Sequence, residues 1–125
     1  MNESQRNIQA ERLKDRTKQF AVNLVRFLRQ LPKTDEARTM GRQLLRSGTA
    51  IAANYRSVCR ARSKAEFIAR VGVVVEEADE SVFWLEMMAE TEVAPEVKVA
   101  PLLSEANELL AIFAASQRTA KVSNG

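Results

Sequence analysis

The chain has 125 residues, 46% apolar and 28% charged, which is long enough for one hydrophobic core and too apolar for a disordered polymer. Four Gly and three Pro among plentiful Ala, Leu, Arg and Glu favour an all-helical domain, a single Cys excludes an internal disulfide, and the absence of His excludes Ser-His and Cys-His catalysis. The net charge of +3 is unevenly divided, with 16 Lys/Arg against 6 Asp/Glu in residues 1–70 and 3 against 10 in residues 71–125. Such a division suits either a basic surface for nucleic acid or opposite surfaces that pair between subunits.

The N-terminal MNESQRNIQAERLKDR is polar and lacks the apolar region of a secretory signal, and no apolar run approaches a membrane span. One cytoplasmic domain over 1–125 is expected, with an ordered core of about 8–119 and a polar tail that frays after Arg118. A first helix carries Leu13, Thr17, Phe20, Leu24, Phe27 and Leu31 at four-three spacing and ends at Leu31-Pro32. Thr34, followed by Asp35 and Glu36, reads as the N-cap of a second helix running to about Ala61. Its apolar face holds Ala37, Met40, Leu44, Ile51, Tyr55 and Val58. Ser63-Lys64-Ala65-Glu66 has the spacing of a capping box and opens a third helix ending near Thr91. The fourth includes Leu102, Ala106, Leu109 and Phe113, and starts either near Pro95 with an irregularity at Pro101 or with Pro101 itself at its first position. Four amphipathic helices with mostly short connections define an antiparallel up-down-up-down four-helix bundle.

On a wheel of about 100° per residue, Arg38, Arg42, Arg46, Arg56 and Arg60 share a sector about 80° wide, opposite Leu44 and Ile51, with Thr49 and Ala53 between them. A solvated face is the plain explanation. The choice of Arg over Lys adds a functional one, because guanidinium offers planar bidentate contacts to phosphate or carboxylate. Arg62, Lys64 and Arg70 flank the stripe and complete the candidate nucleic-acid-binding set. Gly48, costly in mid-helix, calls for a close helix approach in compensation.

The third helix points its core face through Phe67, Val71, Val74, Ala78, Val82, Leu85 and Met88. Val73, Phe83, Trp84 and Met87 lie on the other side, where a monomer would expose them, and are the candidate subunit interface. The acids Glu76, Glu77, Asp79 and Glu80 do not share one face, so a salt-bridged or solvated surface is expected there rather than a metal site. Cys59, beside the apolar sector of the second helix, is expected to pack rather than react. No phosphate-binding Gly-rich loop is present. No enzymatic activity, cofactor, metal or membrane association is expected.

The segments LLRSGTAIAANYR, RSKAEF and EEADESVFWLEMM resemble the bacterial 23S rRNA intervening-sequence proteins, with Arg46-Ser47, Asn54, Ser63-Lys64, Phe67, Glu77 and Trp84-Leu85 in matching order from about Arg12 to Thr119. The family often carries an acidic residue where this chain has Ser57. The resemblance implies a left-handed antiparallel bundle assembling into a homopentameric ring. It is more distantly similar to the basic pentameric accessory proteins of diversity-generating retroelements, which engage nucleic acid and a reverse transcriptase. RNA is thus the implied ligand. A scaffold whose basic and acidic faces serve self-assembly is the alternative.

Overall fold

A computed structural model describes residues 1–123; the last two positions of the expected domain lie outside them. It consists of α1 (Glu3–Leu28), α2 (Asp35–Val58), α3 (Lys64–Glu90) and α4 (Glu96–Val122), with no strand among the described residues. Cross-helix pairs establish the register. Leu24 of α1 faces Gly48 of α2 and Leu28 and Leu31 face Gly41; Ser47 and Ser57 of α2 meet Ser81 and Arg70 of α3; Lys64 and Ile68 of α3 meet Ser123, just past α4, and Gln117 of α4; and Arg16 of α1 and Gln30, just past its end, meet Glu105 and Lys98 of α4. In each pair one number rises as the other falls, so every neighbour is antiparallel and the topology is up-down-up-down.

Helix ends follow local chemistry. Thr34 Oγ1 accepts from Ala37 N at 3.2 Å, as the Thr-Asp-Glu sequence predicts. Ser63 Oγ likewise accepts from Glu66 N at 3.0 Å, but the expected capping box is only half formed: Glu66 Oε2 accepts from Arg62 N, one residue before the cap. α1 is α-helical only to Leu28, and two i→i+3 bonds, Gln30 N to Phe27 O and Leu31 N to Leu28 O, carry the chain to Pro32. Similar bonds extend α2 as a tighter turn to Ala61. α3 closes in a Schellman motif, with Val93 N donating to Met88 O and Glu92 N to Ala89 O; Glu92 holds φ 60°, where glycine is usual.

The start of α4 settles at Pro95, an N-cap without a side-chain hydrogen bond, and Pro101 lies inside the helix. Pro101 has no N–H for the carbonyl of Val97, a residue exposed to water, so the lost bond is made good by solvent. α1 begins at Glu3, five residues before the expected core, where Asn2 and Gln5 form a reciprocal cap. α4 continues to Val122, beyond the expected fraying point at Arg118. Contrary to expectation, α4 is by length and composition apolar enough to cross a membrane. Here Val99, Leu102, Ala106, Leu109 and Phe113 spend that apolarity on the bundle core, together with Phe20, Leu24, Leu44, Ile51, Val71, Val74, Leu85 and Met88. Full burial of each large side chain contributes on the order of 1.5–3 kcal/mol.

Two small-residue contacts determine how closely the helices approach. A Cβ on Gly48 would lie 2.1 Å from Leu24 Cδ2, so the absent methyl is what admits α1. On the other flank of α2, the buried hydroxyls of Ser47 and Ser81 lie 2.9 Å apart and join α2 to α3.

Candidate nucleic-acid interface

The α2 arginines fall into two groups. Arg46 leans to α3, donating from Nη1 to Glu77 Oε2 at 2.9 Å and from Nη2 to Glu80 Oε2 at 2.6 Å. The hydrogen bond to Glu80, then the charge of Glu77, raises the arginine's pKa; reciprocally, the Arg46 hydrogen bond holds the Glu80 carboxyl below its ordinary value. Arg38 is exposed beside Asp35 at 3.0 Å. Arg42, Arg56 and Arg60 are exposed and have no ion-pair partner among the described residues.

The flanking candidates divide similarly. Arg70 is half-buried, bonded to Glu66 at 2.5 Å and to the carbonyl of Ser57 at 2.8 Å, which caps the last turn of α2. Because that bond goes to backbone, it does not need the acidic side chain the family often has at this position. Arg62 lies 3.6 Å from Glu66 and remains largely in solvent. Lys64 Nζ donates to the carbonyl of Ser123. Of the eight residues expected to meet phosphate, Arg46 and Arg70 are therefore structural ties within the chain.

The structure adds basic residues that α2 alone does not reveal. Lys18 and Arg26 of α1 and its C-cap residue Arg29 line a shallow groove of about 390 Å³ with Ala21, Val22, Val25 and, across from them, Thr49 of the α2 stripe. The sequence carried a signal for it: Lys18, Val22, Val25 and Arg29 recur at helical spacing on one face. Elsewhere on α1, Arg16 forks onto Glu105 at 2.6 and 2.7 Å and reaches Glu108 at 3.4 Å, and Lys14 pairs with Glu11 at 3.1 Å.

On α3, Val73 is 43% and Phe83 49% exposed. Trp84 and Met87, expected on the same surface, are half-buried. Trp84 packs against the core, donates Nε1–H to Glu80 at 3.1 Å, and meets the Phe83 ring edge-on at 4.8 Å. The expected outward tryptophan is thus a shoulder residue, and the exposed large apolar residues of α3 are Val73 and Phe83. The acidic cluster is salt-bridged through Glu77 and Glu80, as its spacing suggested. Cys59 corrects the sequence-based expectation: it is exposed and borders a hollow of about 680 Å³ at the end of the bundle, beside Tyr55, Phe67 and Phe113.

Fold and charge define a class, an antiparallel four-helix bundle with a basic α1–α2 hairpin and an acidic α3–α4 hairpin. Residues 11–115 match the 23S rRNA-intervening sequence proteins, and the chain belongs to that family. It is also similar to a crystal structure from Bacteroides thetaiotaomicron VPI-5482, described as a protein with unknown function from the S23 ribosomal protein family. The two are 30% identical, with 84% of this chain and 97% of that chain covered and a TM-score of 0.77. No curated protein matches the chain.

Proposed function

We propose that this protein is a non-enzymatic, cytoplasmic RNA-binding protein that works as a homo-oligomer, with five subunits as the family resemblance implies. The observation that carries the proposal is the set Arg42 and Arg56 of α2 with Arg60 of the turn that follows, exposed cations with no carboxylate partner among the described residues, beside Arg38 and Arg46, which have one. Each phosphate they neutralise releases a counterion, and a ring repeats the stripe once per subunit. The family's name, which refers to 23S rRNA, supports RNA over other polyanions. The exposed Val73 and Phe83 supply the self-assembly surface. The alternative, a scaffold in which α2 arginines meet a neighbour's acids, loses Arg46, whose acids come from its own chain.

Filter binding of single-stranded RNA over a salt series tests this, with sedimentation in parallel. Arg42→Ala and Arg60→Ala should each weaken binding, lower the log-log salt slope by about 0.7 per lost phosphate contact, and leave oligomer size unchanged. Failure of the wild type to bind RNA at low salt, or loosening of the oligomer by either substitution, would overturn the proposal.

A further inference from the structure

We infer that the groove between α1 and α2, and not the α2 stripe alone, is the seat of the ligand, and that it takes one single-stranded phosphodiester chain with Lys18, Arg26 and Arg29 on its phosphates. This inference rests on the RNA-binding proposal and goes further, by naming α1 as half of the site and the strand state of the RNA.

The cations on one bank are Lys18, Arg26 and Arg29, and no acid lines the groove. None of the three has an ion-pair partner among the described residues, in contrast to Arg16 and Lys14 on other sides of α1. The opposite bank is reached through Thr49. On the helical wheel Arg42 and Arg56 lie within about 20° of that threonine, so they share the face of α2 that Thr49 turns to the groove. Gly48 is what makes the two banks neighbours, since any side chain there would push Leu24 and α1 away.

The ligand class follows from the floor. Ala21, Val22 and Val25 are aliphatic and no aromatic ring lines the groove, so bases cannot stack on a platform there and no sequence preference arises from stacking. A shallow aliphatic floor beside the α1 cations, with Thr49 opposite, fits the sugar edge of a single strand whose phosphates turn to Lys18, Arg26 and Arg29. A duplex carries its phosphates on a convex cylinder and would touch the banks while leaving the floor empty. A single strand therefore gains the floor contact and the duplex does not.

The test compares a uridine 20-mer with an RNA duplex of the same length, using wild type, the Lys18→Ala/Arg29→Ala double variant, and Arg42→Ala, with helicity and sedimentation monitored. The single strand should bind more tightly than the duplex. The double variant should lose on the order of tenfold in affinity at low salt, with a log-log salt slope shallower by about 1.4, at unchanged helicity and oligomer size. Lys18→Arg/Arg29→Lys, which keeps the charge, should bind like wild type. If the double variant binds like wild type while Arg42→Ala is weakened, the groove is refuted and the α2 proposal stands. Equal affinity for duplex and single strand overturns the strand-state assignment. Absence of any wild-type binding removes both.

Discussion

The contact at Gly48 sets the spacing of the α1–α2 hairpin, and substituting alanine there gives a prediction whose sign is not the ordinary one. In an exposed helix Gly→Ala stabilises by about 0.8–1.0 kcal/mol. At Gly48 the new Cβ would lie 2.1 Å from Leu24 Cδ2, 3.5 Å from Leu24 Cγ and 3.6 Å from Phe20 Cε2. Leu24 is completely buried and Phe20 nearly so, and in a close-packed interior a displaced leucine methyl has to move other buried side chains. Overpacking of this kind costs about 1–3 kcal/mol, so the clash outweighs the propensity gain and Gly48→Ala should lose about 1 kcal/mol net. Gly41 supplies the control on the same helix: its added Cβ would meet Leu31 Cδ1 at 3.4 Å and Leu28 Cδ2 at 3.7 Å, ordinary contact distances. Gly41→Ala should therefore gain about 0.5–1 kcal/mol. Chemical denaturation at one fixed protein concentration, because assembly couples to stability, reads both values. Opposite signs are expected. A Gly48→Ala variant as stable as wild type would show that α1 and α2 do not pack as described.

Phe83→Glu should dissociate the proposed oligomer while helicity persists, since Phe83 is half exposed and lies outside the core; a wild-type protein that sediments as a monomer at micromolar concentration would remove the proposed interface. Trp84 is a poorer probe, because its ring also packs on the core. The pH dependence of stability should contain a contribution from Glu80, whose carboxyl the Arg46 hydrogen bond, then that of Trp84, holds below its ordinary value of 4.5. A depressed folded-state pKa means the unfolded chain takes up the proton first, so the contribution is complete above about pH 4.5 and fades as pH falls through the folded value. The stability gap between wild type and Glu80→Gln should shrink over that interval, and a gap constant from pH 7 to 3 would contradict the pairing.

Helix number, order and caps were legible because each depends on residues close in sequence: Leu13 to Leu31 at four-three spacing, Thr34 before two acids, Ser63 three residues before Glu66. The helix termini were less so. Whether α4 starts at Pro95 or Pro101 depends on whether the Val97 carbonyl can be left to water, a question of exposure. The arginine stripe was visible on α2, but its division was not, since Arg46 and Glu77/Glu80 are thirty-one and thirty-four residues apart and meet only through the α2–α3 register. Trp84 reads as outward in the sequence because it sits about 100° round the wheel from Leu85 of the core face, but a ring that long reaches back over the helix shoulder onto the core. Lys18 and Arg29 were missed because a groove belongs to two helices and periodicity reads one at a time.

The uneven charge of the two halves resolves into two different uses. At the seams between helices, Arg46 with Glu77 and Glu80, and Arg16 with Glu105 and Glu108, join the basic hairpin to the acidic one. These pairs are partly open to solvent, where ion pairs contribute little to stability, so their service is to favour one helix register over its slipped alternatives. Among the cations without such partners, Arg42, Arg56 and Arg60 with Lys18, Arg26 and Arg29 lie on α1, α2 and the turns that follow them, whereas Glu76, Asp79, Glu86 and Glu90 lie without an ion-pair partner on α3 among the described residues. A polyanion is consequently repelled by one hairpin and drawn to the other, which fixes its side of approach before any contact forms. Salt separates the two uses. At about 1 M the screening length falls to about 3 Å, which cancels phosphate attraction, yet the buried residues around Leu24, Leu44, Ile51 and Leu85 do not depend on charge. The bundle therefore stays folded under conditions that would release a bound polyanion, and the proposed binding and folding can be measured apart in the same salt series.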